Sequence, residues 1–261
     1  LQRQSGDSSD SEQITSIELL IASSANLGGY VLEGDERSGR SALMAQLVWG
    51  YLAAGYVALR IHGRKFSRST EDEIDSVAEA EFERQLKGRD LDSYRQLPLA
   101  KRVLLLDDID EVSIKSEKAI EQLLIRLRKR FGVLVVSASD VFAVTQFAQA
   151  GGGGALEGLP TYRLLPFGHL ARTRLIKKWI NLNSDEGHSE DDRVARVHAA
   201  EQFVGAVLNR GVVPAYPLYL VTLLHASQNR ERESLQDAGY GQYYEYLIGE
   251  GINAAGIRNE K

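Results

Sequence analysis

Five short apolar runs punctuate the first part of the chain: Tyr30-Val31-Leu32, Val57-Ala58-Leu59-Arg60-Ile61, Val103-Leu104-Leu105-Leu106, Val133-Leu134-Val135-Val136 and a weaker Tyr162-Arg163-Leu164-Leu165. The third and fourth are nearly continuous in Val and Leu, the pattern of a parallel strand buried on both faces. Helical patterns lie between them. Ile17 to Ala22 reads as a helix leading into Gly28-Gly29, and Ser41 to Leu52 as a buried helix. From Ser116 to Arg130, Ala119, Ile120, Leu123, Leu124 and Leu127 fall on one face. Ser116 suits the N-cap of that helix, and Arg126, Arg128, Lys129 and Arg130 suit its C-terminal dipole. Strands alternating with helices predict an α/β layer fold with a parallel sheet.

After Pro166 the strand signals stop and helical periodicity takes over. Arg172 to Asn181, Asp192 to Asn209, Pro217 to Ser227 and Tyr243 to Gly251 read as helices. Ser5 to Glu12 are small and polar, without apolar area to bury. The expected organisation is a linker or tail at 1–13, a nucleotide-binding α/β domain at 14–165 and a smaller all-helical domain at 166–261. Gly151 to Gly154 reads as a flexible loop before the boundary, and there is no internal repeat.

Composition narrows the field. The chain has 261 residues, 43% hydrophobic and 26% charged, enough for a real core. It has no Cys, which excludes a disulfide framework, a Cys-ligated zinc site and an iron–sulfur cluster. The 31 basic and 36 acidic residues leave a formal charge of -5, so nucleic acid is not indicated as a partner. No apolar run approaches the ~20 residues that cross a bilayer. The chain starts at Leu1 without a signal-peptide pattern, so it reads as a cytoplasmic piece of a longer protein. The five His (His62, His169, His188, His198, His225) show no metal-ligand spacing.

The strongest chemical signal is Gly34-Asp35-Glu36-Arg37-Ser38-Gly39-Arg40-Ser41, between a predicted strand and a predicted helix. It matches the phosphate-loop pattern G-x-x-x-x-G-K-[S/T] at every fixed position but one, where Arg40 replaces Lys. Gly34 and Gly39 let the backbone wrap a phosphate without a Cβ in the way. The loop amides and the helix N-terminus supply donors and positive potential. Ser41 would place a hydroxyl on Mg²⁺, and Arg40 offers a planar fork in place of a point charge. The nucleotide-binding stretch thus runs through Gly34, Asp35, Glu36, Arg37, Ser38, Gly39, Arg40, Ser41 and Ala42.

The second signal is the third apolar run ending in Asp107-Asp108-Ile109-Asp110-Glu111, the Walker B arrangement. A carboxylate at the strand's C-terminal edge reaches the Mg²⁺ sphere, and a second can orient or deprotonate water. Asp107 is the metal-shell candidate, acting through water. Asp108, Asp110 and Glu111 compete for the role of water-activating base. Ligands of open α/β sheets sit at the strand C-terminal ends, so loop and acidic edge face one crevice.

On these residues the chain resembles the STAND class of P-loop NTPases, which includes the NACHT and NB-ARC modules. Leu104 to Glu111 resembles the NACHT form of the acidic strand, with Asp108 standing where Gly is usual. By that resemblance Asp107 is the magnesium-shell acid, and Asp110 and Glu111 are the distal acidic pair. The Gly34 to Leu43 stretch looks like a bacterial subgroup fused to effectors such as a metallophosphoesterase. Ser137 and Ser139 stand where many NACHT members place a sensor arginine. Leu165-Pro166-Phe167, followed by Arg172, Arg174, Leu175, Ile176 and Trp179, resembles the entry into the family's helical domain. Val212 to Leu220 resembles its proline motif, with Pro214 favoured over Pro217 as the nucleotide contact. The resemblance spans about residues 14 to 228. It implies ATP or ADP with Mg²⁺, a switch between nucleotide states, and self-association through the module. It also implies control of an effector domain elsewhere in the full-length chain, in bacterial antiviral defence. The rival readings are a non-hydrolysing nucleotide-stapled assembly module and a AAA+-like ATPase.

Overall fold

The computed structural model describes residues 1–4, 16–139, 155–156, 158–183, 189–209 and 214–230. It divides into two compact units, Leu1–Leu165 and Pro166–Lys261. In the first unit the strands are β1 (Gln2–Gln4), β2 (Gly29–Glu33), β3 (Val57–His62), β4 (Arg102–Asp107), β5 (Val133–Ala138) and β6 (Thr161–Arg163). Its helices are α1 (Ile17–Leu27), α2 (Arg40–Ala53), α3 (Glu71–Gln85), α4 (Leu91–Arg95) and α5 (Glu117–Arg130). The sheet order is β1-β6-β2-β5-β4-β3. All neighbours are parallel except β1, which runs antiparallel to β6. Strand β5 therefore lies between β2, which leads into the loop at 34–39, and β4, which carries the acids.

The continuous apolar runs follow from two covered faces. Val103 and Leu105 of β4 join the cluster built with Leu20 and Ile21 of α1 and Met44, Leu47 and Tyr51 of α2. Leu104 and Leu106, one residue out of phase, join the opposite cluster with Ile74, Ala78 and Phe82 of α3 and Ile120, Leu123, Leu124 and Leu127 of α5. Alternation along a strand thus places apolar side chains in both layers. Each such side chain contributes roughly 1.5–3 kcal/mol by leaving water.

Two local expectations are corrected. Gln2–Gln4 is not linker but an edge strand, Gln2 opposite Arg163 and Gln4 opposite Thr161. Strand pairing uses backbone groups, so a polar segment can take an edge, and Leu1 packs against the α1–α2 cluster. Ser116 occupies the N-cap position of α5, but its side chain accepts no capping bond. Its carbonyl accepts instead from the amides of Ala119 and Ile120.

The second unit holds α6 (His169–Leu182), α7 (Glu190–Leu208) and α8 (Pro217–Arg230). Ile176, Ile180, Ala200, Val204, Leu220, Leu223 and Leu224 form its core. Ser189 and Asp192 close a capping box at the start of α7. The Phe167 amide donates to the Ala215 carbonyl at 2.8 Å, holding the unit's entry to the segment before α8. Gly151 to Gly154, Ser5 to Glu12 and the helix read at Tyr243 to Gly251 lie outside the described residues.

Candidate functional site

Strand β2 ends at Glu33 and the chain enters a tight loop that closes on α2. The Ser38 amide donates to the Asp35 carbonyl at 3.1 Å, folding the loop back on itself. Two residues carry left-handed backbone here, Arg37 (φ 64) and Gly39 (φ 103). At Gly34 an added Cβ would stand 2.6 Å from the Ser38 hydroxyl, which would have to turn away. That hydroxyl is buried and has no hydrogen-bond partner among the described residues. Gly39 is the N-cap of α2, with no side chain to cap the helix. The first-turn amides, through Ala42, therefore form the donor set that a phosphate would accept from.

Arg40 opens α2 and turns across the loop. Its Nη1 donates to the Gly34 carbonyl and, at 3.1 Å, to the Ala138 carbonyl at the end of β5. Its Nη2 donates to Asp108 Oδ1 at 2.8 Å. The two side chains are only 10% and 16% exposed, so this ion pair is largely shielded from water. Ser41 follows in the same turn and is half-buried.

At the end of β4 the acids separate into distinct environments. Asp107 is fully buried. Its Oδ2 accepts from Arg60 Nε at 2.9 Å and from Arg60 Nη2 at 2.5 Å. Its Oδ1 accepts from the Ser137 hydroxyl at 2.8 Å, and that hydroxyl in turn accepts from the Asp108 amide at 2.8 Å. Asp108 has φ 52, a conformation that suits glycine and is tolerated by Asp. Burial and the neighbouring Asp107 charge push its carboxyl above the ordinary aspartate value, while Arg40 works against that rise. Asp110 and Glu111 sit in the following 3₁₀ turn. Asp110 Oδ1 accepts from the Ser139 amide at 3.3 Å, and Glu111 pairs with Arg64.

The basic side of this site comes from β3, outside both sequence motifs. Arg60 and His62 of β3, with Arg64 just beyond it, each face an acid of the β4 end. Arg60 meets Asp107. His62 Nε2 lies 3.6 Å from Asp108 Oδ2 and 3.9 Å from Glu111 Oε2. Arg64 meets Glu111. The available signal was three basic residues at alternate positions at the C-terminal end of an apolar run, where sheet ligands gather. Ser137, at the expected sensor position, bridges Asp107 and the Asp108 backbone. Pro214 lies exposed in the second unit, its carbonyl accepting from the Tyr216 amide, and Pro217 begins α8.

A divalent ion is a poor fit to these acids as they stand. Asp107 accepts three hydrogen bonds out of about four that a carboxylate can take, and none of its surface reaches water. His62, Asp108 and Glu111 offer ligand atoms within 4.8 Å of one another, a spacing that could hold a metal. Asp108 and Glu111, however, are each already paired with an arginine. The expected assignment of Asp107 to the magnesium shell thus meets a carboxylate whose counter-ion is the chain's own.

No protein-family model and no curated protein matches the chain. Among solved structures it is similar to the Walker-type ATPase PABY2304 of Pyrococcus abyssi, at 12% identity and TM-score 0.53, covering 92% of this chain and 73% of that one. It is also similar to the ORC2 protein of Aeropyrum pernix in ADPNP–ADP complexes (14% identity, TM-score 0.47, 94% and 86% covered). A third is a STAND protein with a tetratricopeptide repeat sensor from Pyrococcus horikoshii (13% identity, TM-score 0.46), with 91% of this chain but 32% of that one covered. The parallel sheet with flanking helices and the loop between β2 and α2 is a P-loop NTPase fold. No helix among the described residues is long and apolar enough to cross a membrane.

Proposed function

We propose that the chain is the nucleotide-binding module of a STAND-type switch. It holds ATP or ADP by its phosphates in the Gly34–Ala42 loop and controls self-association, and through it an effector domain elsewhere in the full-length protein. Antiviral defence is the biological setting the family resemblance suggests.

The observation that carries this reading is the placement of Arg40. One guanidinium bonds to the start of the phosphate loop, the end of β5 and the first residue after β4. Arginine has five N–H donors in a fixed fork, and these bonds use three. The remaining two are the donors we assign to phosphate oxygens. The phosphate state of the ligand thereby acts on a residue that also grips both strand ends, as a switch requires. Pro214 is proposed as the contact of the helical domain with the nucleotide.

A second reading, a module that is stapled by its nucleotide and turns it over slowly or not at all, is favoured by the pairing of the acids. Asp108 is held by Arg40, Glu111 by Arg64, and Asp110 by a backbone amide. None is presented as an unengaged base for water. A single-turnover assay with labelled ATP separates the two. Phosphate release that disappears in Asp110→Ala or Glu111→Ala supports the hydrolysing switch. Tight binding without release supports the staple. Light scattering with and without a non-hydrolysable analogue tests assembly, and identical mass in both counts against it.

A further inference from the structure

We propose that Arg60 is the resident cation of this site, so that nucleotide binding does not depend on a divalent ion at Asp107. The inference rests on the nucleotide-binding reading above.

Arg60 is delivered to Asp107 by a rigid frame. It lies on β3, where His62 is the register partner of Asp107, so the guanidinium two residues earlier reaches the acid diagonally across the ladder. The Arg60 backbone is clamped from the other side. Its amide donates to Gln85 Oε1 at 3.1 Å, and Gln85 Nε2 donates to the Arg60 carbonyl at 2.7 Å. Gln85 is held in turn by Glu81 at 2.9 Å. One side-chain amide thus stands in for the missing neighbour of the edge strand and fixes the arginine's origin.

The acid end is equally determined. Two Arg60 nitrogens donate to the same Asp107 oxygen, and Ser137 takes the other. With the carboxylate fully buried, its charge needs a partner at all times, because an unpaired buried charge is strongly destabilising. A dication would have to displace the guanidinium or approach it closely, like charge against like charge. Arg60 therefore takes over the charge balance that the acidic-strand pattern assigns to a metal. Phosphate recognition is left to the loop amides and Arg40.

The test is calorimetric titration of nucleotide-stripped protein with ADP and with a non-hydrolysable ATP analogue, once with Mg²⁺ and once with EDTA. In the wild type the two buffers are expected to give dissociation constants within about threefold. Arg60→Gln frees the acid, and its binding is expected to gain about tenfold or more from Mg²⁺. The charge-neutral Arg60→Gln/Asp107→Asn double variant, which leaves no buried ion unpaired, is expected to bind alike in both buffers. Wild-type binding that requires Mg²⁺ overturns the inference, whether or not Arg60→Gln folds. A folded Arg60→Gln indifferent to Mg²⁺ does the same. Binding in neither buffer overturns the nucleotide-binding reading itself.

Discussion

Arg40 Nη2 stands 2.8 Å from Asp108 Oδ1, so two residues 68 positions apart in sequence share one partly buried ion pair. Arg40 is the residue that departs from the phosphate-loop pattern. Asp108 is the first residue after β4 and carries left-handed backbone. Its φ of 52 is a backbone that glycine would adopt without strain. The two side chains neutralise each other's charge. Lysine at 40 would reach as a point charge and lose the fork that also holds Gly34 and Ala138. A double-mutant cycle over Arg40→Lys and Asp108→Gly is expected to show a coupling of about 1–3 kcal/mol in unfolding free energy. Strictly additive losses would mean that the pair contributes nothing as a pair.

Ser137→Ala removes one hydroxyl and leaves two groups without their partner, Asp107 Oδ1 and the Asp108 amide. Each buried unsatisfied group costs about 1–3 kcal/mol. The expected result is a lower urea midpoint corresponding to about 2 kcal/mol or more, with an unchanged m-value. A loss close to zero would show that the Ser137 bridge is dispensable.

The layered fold was legible because its cause is local. The runs at 103–106 and 133–136 alternate between two buried faces, and that alternation erases any polar position. The turn at 34–39 was legible for a similar reason, since Gly34 and Gly39 answer constraints set by near neighbours. The charge partners were not. Arg60 meets Asp107 only because β3 pairs with β4 in one particular register, across 47 residues of chain. A basic residue in an apolar run carries no mark of which acid it will face. The edge strand at Gln2–Gln4 was hidden for the opposite reason, because backbone pairing asks nothing of its side chains.

Glu81 gives a pH dependence of definite sign. Burial raises its carboxyl, but bonds from Arg84, Gln85 and Lys65, together with the Arg84 charge, outweigh this and hold it below the ordinary glutamate value of 4.5. A carboxylate lowered on folding adds stability above its unfolded pKa, and that stability is lost as pH falls through the folded value. Glu81→Gln is therefore expected to flatten the acid limb of the stability curve below about pH 4.5 and to lower stability near neutrality. Thermal melts of both proteins across pH check this. Parallel curves would show that Glu81 is not held below its ordinary value.

Gly63 sits under the Asp108 segment, where an added Cβ would stand 2.3 Å from the Asp108 carbonyl oxygen. The neighbour is backbone and cannot rotate away. Gly63→Ala is expected to cost about 1–3 kcal/mol by overpacking and to shift the Asp108 amide resonance in NMR spectra. An unperturbed resonance would mean that the acidic turn is looser than its contacts imply.

If the bend between β2 and α2 recognises phosphate groups through its amides and Arg40, binding follows the phosphates and not the nucleoside. The direct measurement is calorimetry of the nucleotide-stripped protein with a non-hydrolysable ATP analogue, followed by adenosine and by pyrophosphate. The expected result is saturable binding of the analogue at one site per chain, competition by pyrophosphate, and no measurable binding of adenosine. Adenosine binding as tightly as the analogue, or no heat with either, would contradict it.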